Sequence, residues 1–239
     1  MREFFNRIED GSLVAIEADV EIESQKELYP WLCSIFVKFG NIDKNFDSFE
    51  LFFETKESLI VALEHESRAV YAGSRVKDDW NEFYFYAKDA KKLETIIAKM
   101  LKESGYKYES SVVKDAKWDF YHKNLFPSEL EFCHIESDKI IFLLEEEGDK
   151  LDVKRDVEHY ASFDTATQKD RFIASALLCG FEFKDDVSSE EFEHGVALVK
   201  EHSIQNDDVK SVVEELYGLI KKEFGYYEGW STTLVDEQN

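Results

Sequence analysis

From Ser12 to Ile22 apolar side chains recur at alternate positions, the period of a half-buried strand. Leu28 to Phe39 is β-branched and aromatic and is closed by Gly40-Asn41, which predicts a second strand. From Asp47 to about His65 the spacing turns helical, with Phe49, Phe52, Phe53, Leu59, Ile60 and Leu63 falling together. Two short strands follow, around residues 69–72 and 82–86. Leu93, Ile96, Ile97, Met100 and Leu101 then recur at i, i+3, i+4, i+7 and i+8, predicting an amphipathic helix over 88–103 that Gly105 ends. Residues 106–113 read as another strand.

The second half repeats this grammar. A strand is predicted over 153–163, and Asp164 or Thr165 caps a helix lined by Phe172, Ile173, Ala176 and Leu177. Gly180 ends that helix, and strands begin at Phe181 and Gly195. Asn206 or Asp207 caps a last helix with Val209, Val212, Val213, Leu216, Leu219 and Ile220 on one face, before a closing strand to about Val235. Each half reads β-α-β-β-α-β. The expected fold class is therefore α+β, two tandem ferredoxin-like α/β sandwiches with antiparallel sheets. The expected domains are 1–134 and 135–239, with an aromatic segment from Trp118 to Pro127 docked on the first and a helix through Ile140–Leu144 in the second.

Charge narrows the range of partners. The chain carries 52 acidic and 29 basic side chains, a formal charge of -23. From Leu151 onward 20 acidic side chains stand against 9 basic ones, so the excess is expected in both halves. Such a surface repels phosphate backbones and anionic lipid, which argues against direct nucleic-acid or membrane contact and favours a basic protein partner. Net charge also serves solubility on its own. Cys33, Cys133 and Cys179 are far apart with no C-x-x-C pair, the usage of a reducing compartment. Met1-Arg2-Glu3-Phe4 does not read as a signal peptide, and no apolar run approaches the ~18 residues of a membrane span. Cytoplasm is the expected location.

Motifs for chemistry are absent from the sequence. There is no phosphate-cradling glycine motif, no G-x-S-x-G elbow and no calcium loop, and none of the six histidines has metal-binding spacing. No cofactor and no metal is expected, and the chain reads as a non-enzyme. Any two of its many carboxylates would make an arbitrary acid–base pair. Phe83 and Phe85 fall on one face of a strand, Tyr84 and Tyr86 on the other. Without basic surroundings this predicts one buried and one semi-exposed face, not an RNA platform. Tyr226, Tyr227 and Trp230 either anchor a protein partner or pack the last strand. Tyr227, Glu228, Trp230, Asp185 and Asp186 are the candidate partner-binding residues, although Asp185-Asp186 is better explained by a turn. Arg75, beside Gly73, either orients a small anion or makes a surface ion pair.

Ordered along the C-terminal half, Glu158-His159-Tyr160 with Phe163, Gly180-Phe-Glu-Phe183, the helix from Val209 to Phe224 and Tyr227-Glu228-Gly229-Trp230 resemble the regulator of ribonuclease activity B family. The likeness spans about Glu136 to the end of the chain and departs at Ser231, where a glycine is common. It implies a ferredoxin-like fold and a non-catalytic protein that binds ribonuclease E outside its catalytic centre. Tyr71-Ala-Gly73 with Arg75, Glu82 to Ala87, Trp118, Tyr121 and Leu125-Phe126-Pro127 resemble a bacterial domain family of unknown function found fused ahead of such a regulator. The alternative is an interaction or small-anion-sensing protein without ribonuclease binding.

Overall fold

The structure is a computed structural model that describes residues 1–38, 46–78, 80–102, 104–190 and 192–236, without the side chains of 46–52. Gly40-Asn41, Glu103 and the side chains of Phe49 and Phe52 lie outside the described residues. The chain forms two units, Met1–Pro127 and Ser128–Asn239. The boundary expected at 134 falls within a helix of the second unit. Ser128 caps that helix by accepting from the Glu131 backbone N–H while the Glu131 carboxylate accepts from the Ser128 N–H, a reciprocal capping box.

In the first unit, β1 (Arg2–Glu9), β2 (Ser12–Asp19), β3 (Trp31–Lys38), β4 (Ala69–Lys77), β5 (Trp80–Ala87) and β6 (Lys107–Lys114) form an antiparallel sheet in the order β1-β2-β4-β5-β3-β6. Strand β1 lies ahead of the alternation that begins at Ser12 and is not predicted by it. A two-residue turn joins it to β2, with Asp10 and Gly11 both at positive φ, the geometry that matches strand twist. Helices α1 (Phe46–Glu64) and α2 (Leu93–Leu101) cover one face, packing Leu59, Leu63, Leu93 and Ile97 on Ile35, Phe83 and Phe85. The opposite face is buried too, which corrects the expectation for Tyr84 and Tyr86. Trp118 stacks on Tyr86 at 4.0 Å between centroids, and Phe120 lies 4.5 Å from Tyr84. The Trp118 indole donates to the Tyr29 carbonyl at 2.8 Å, and Tyr86 donates to Asp115 at 2.7 Å. Gly73 lets β4 approach β2, since a Cβ there would meet the Glu17 carbonyl oxygen at 2.2 Å.

The second unit begins with α3 (Glu129–Glu146), followed by β7 (Arg155–Phe163), α4 (Ala166–Leu178), β8 (Glu182–Val187), β9 (His194–His202), α5 (Asn206–Lys222) and β10 (Tyr226–Thr232). The sheet is antiparallel, in the order β10-β7-β9-β8. Thr165 caps α4 through the Gln168 N–H. Gln205 precedes α5, so Asn206 and Asp207 lie inside its first turn, where carboxylates favour the positive helix end. Helices α4 and α5 pack Phe172, Ala176, Leu216 and Ile220 on Ala161, Phe163, Val196 and Leu198. Helix α3 brings Ile141 to a second cluster with Val157, Val209, Val213 and Trp230. No helix among the described residues is long and apolar enough to cross a membrane.

Candidate protein-binding site

The Tyr-Glu-Gly-Trp run in β10 owes its geometry to one bulge. Tyr227 pairs with Ala161 and Gly229 with Tyr160, so Glu228 is the extra residue. Gly229 takes φ +114, which a side chain would strain. The bulge resets the alternation, so Tyr227 and Trp230 both point to the helix side while Glu228 points out. Trp230 is buried, 5% exposed, and its indole N–H donates to the Ser137 hydroxyl at 3.0 Å. Of the two roles open to it, the structure gives it the packing one.

Tyr227 is half-buried and ends a polar chain through the core. His202 Nδ1 lies 2.6 Å from the Ser203 carbonyl, which only accepts, so Nδ1 carries the proton. His202 Nε2 then accepts from His159 Nε2 at 3.1 Å, and His159 Nδ1 accepts from the Tyr227 hydroxyl at 2.9 Å. The chain is satisfied with both imidazoles neutral. Burial, then the neighbouring His202 and Lys200, pulls His159 down to about 3. Burial also lowers His202, partly opposed by its bond to the Ser203 carbonyl. Sequence spacing missed this pair because the two residues meet only across β7 and β9. The usable signal was that both fall at core-facing positions of their strands.

Two cavities open beside β10. One, of about 320 Å³, lies between α3, α5 and β10, with Phe132, Ile140, Tyr217 and Trp230 in its wall and Glu129 and Glu136 along α3. The other, of about 350 Å³, is lined by Ser162, Asp164, Phe192, Glu193 and His194. Tyr226 and Glu228 line both. Glu228 also accepts from the Ser162 hydroxyl. Lys221 is the lysine of this wall, ion-paired with Glu129 and 5.0 Å from the centre of the Tyr226 ring.

The remaining candidates sit elsewhere. Asp185 and Asp186 lie on the exposed edge strand β8, where the register shifts and Lys169 binds Asp186. Arg75 is buried at 7% exposure between Glu9 and Glu82, so its guanidinium is held by two internal carboxylates instead of facing an external anion. Among the described residues, no group of three or more His, Cys, Asp or Glu side chains could hold a metal ion. Cutting the chain after Pro127 also changes the charge distribution. The first unit holds 24 acidic and 18 basic side chains, the second 28 and 11, giving -6 and -17. Both units carry the excess, the second the larger share.

Fold and cavities together define a two-domain α+β protein whose second unit presents an acidic, aromatic-walled groove. A family model described as regulator of ribonuclease activity B matches residues 134–232. A model described as a family of unknown function (DUF695) matches residues 49–126, in the order that the resemblances implied. Comparison with curated proteins gave no match.

Proposed function

We propose that this chain is a non-catalytic, cytoplasmic regulator that binds a ribonuclease of the ribonuclease E type through its acidic C-terminal unit. Each unit is read as a ferredoxin-like sandwich. The strand orders β6-β3-β5-β4 and β10-β7-β9-β8 support this, with the β1–β2 hairpin and α3 as additions. The observation that carries the functional reading is the coincidence of the regulator match at 134–232 with the unit that holds a charge of -17. Such a surface steers and holds a basic polypeptide, including the kind that itself binds RNA. Three free thiols suit a reducing compartment. The anion-sensing alternative loses its residue, because Arg75 is already bound on both sides.

Immobilised full chain should capture ribonuclease E at low salt and release it as salt rises. Absence of capture at low salt would refute the proposal.

A further inference from the structure

We infer that the two cavities beside β10 form one bipartite docking site for a basic polypeptide segment in which an apolar residue neighbours an arginine or lysine. The inference rests on the regulator reading and gives it a place and a ligand chemistry. The first cavity offers aromatic and aliphatic wall, the second three carboxylates: Asp164, Glu193 and Glu228. Neighbouring side chains of an extended segment diverge to opposite sides, and the shared wall of Tyr226 and Glu228 lies between the two receiving cavities. Each pocket then takes one of them.

Charge selects the occupant. At the first cavity Glu129 is paired with Lys221 and Glu136 with Lys139, so the charge that selects the ligand comes from Asp164, Glu193 and Glu228 around the second. A phosphate chain or an acidic segment would be repelled there. Tyr226 is 54% exposed, and its ring already has the Lys221 ammonium 5.0 Å away, within cation–π range. The Trp230 indole N–H is taken by Ser137, so this buried ring backs the groove without offering it a free donor.

Fluorescence anisotropy of the full chain with three fluorescein-labelled basic peptides tests this. One carries a Leu-Arg pair, one has serine in place of the leucine, and one has citrulline in place of the arginine. The Leu-Arg peptide should bind about tenfold more tightly than either relative, and Tyr226→Ala should erase the preference. Because Glu228 also bonds Ser162, the Asp164→Asn, Glu193→Gln double variant supplies an independent arm. It should weaken the arginine contribution and leave the leucine contribution intact.

Equal binding of all three peptides would overturn the site, as would unchanged binding by Tyr226→Ala and the double variant. A concentration-dependent doubling of mass that blocks the peptides would put a second copy in the groove and overturn it as well. Capture of ribonuclease E by wild type and Tyr226→Ala alike would overturn the site and keep the regulator reading. A peptide preference without ribonuclease capture would do the reverse.

Discussion

In the first unit both faces of the sheet are covered, by α1 and α2 on one side and by the segment carrying Trp118, Phe120 and Tyr121 on the other. In the second unit α3, α4 and α5 share one face, while Glu158, Tyr160 and Ser231 bond to one another on the other. Strand order is the same once the β1–β2 hairpin is set aside. Charge differs, -6 against -17. Buried ion pairs occur in both units, Lys56 with Glu17 in one and Arg155 with Asp149 in the other. The contrast teaches that the shared arrangement leaves the use of the second sheet face and of the surface charge free to vary. The first unit spends its extra segment on closing a core, and the second keeps an open, acidic edge.

Replacing one tryptophan in each unit sharpens the comparison most. Trp118→Ala and Trp230→Ala should each cost about 3–5 kcal/mol, because both rings are buried and the indole N–H of each is satisfied inside its own unit. Urea unfolding reads the loss. A Trp230→Ala chain as stable as wild type would return that ring to partner contact.

Acid should separate the units next. The buried imidazoles of His159 and His202 both belong to the second unit. Their folded values are depressed from 6.5, that of His159 to about 3, so the unfolded state binds more protons between those limits. The contribution is fully present above about pH 6.5 and is lost as pH falls, about 2 kcal/mol by about pH 5. The His159→Gln, His202→Gln double variant should flatten this dependence. An unchanged acid slope would contradict the neutral relay.

The smallest effect belongs to the bulge. Gly229→Ala should cost about 1 kcal/mol, since its φ is +114 but an added Cβ would meet nothing within 4 Å. Melting curves check it, and a loss as large as that of Trp230→Ala would mean that the bulge does more than reset the alternation.

Periodicity exposed most of this architecture. The helical runs of α1, α2 and α5 and the strands β3, β7 and β9 stand close to where their apolar spacing predicts them. What it missed has physical causes. Strand β1 is half polar, its exposed side carrying Phe4 and Ile8, so its alternation does not mark a buried face. Tyr84 and Tyr86 looked semi-exposed because their cover comes from Trp118 and Phe120, distant in sequence. At the candidate site, Tyr227, Glu228 and Trp230 were legible as a motif, but their directions depend on a bulge that only the register with β7 reveals. Asp164 and Glu193 join Glu228 through tertiary packing alone.

On the proposed function the second unit, and not the first, carries the contact with a basic ribonuclease. Titration of ribonuclease E with two charge-altered full chains tests it most directly. One chain has Asp164→Asn, Glu193→Gln and Glu228→Gln, and the other has Glu27→Gln, Glu94→Gln and Glu109→Gln, all at exposed positions. Affinity should fall about tenfold or more below wild type for the first chain and stay at the wild-type value for the second. Equal losses in both, or a loss only in the second, would contradict it.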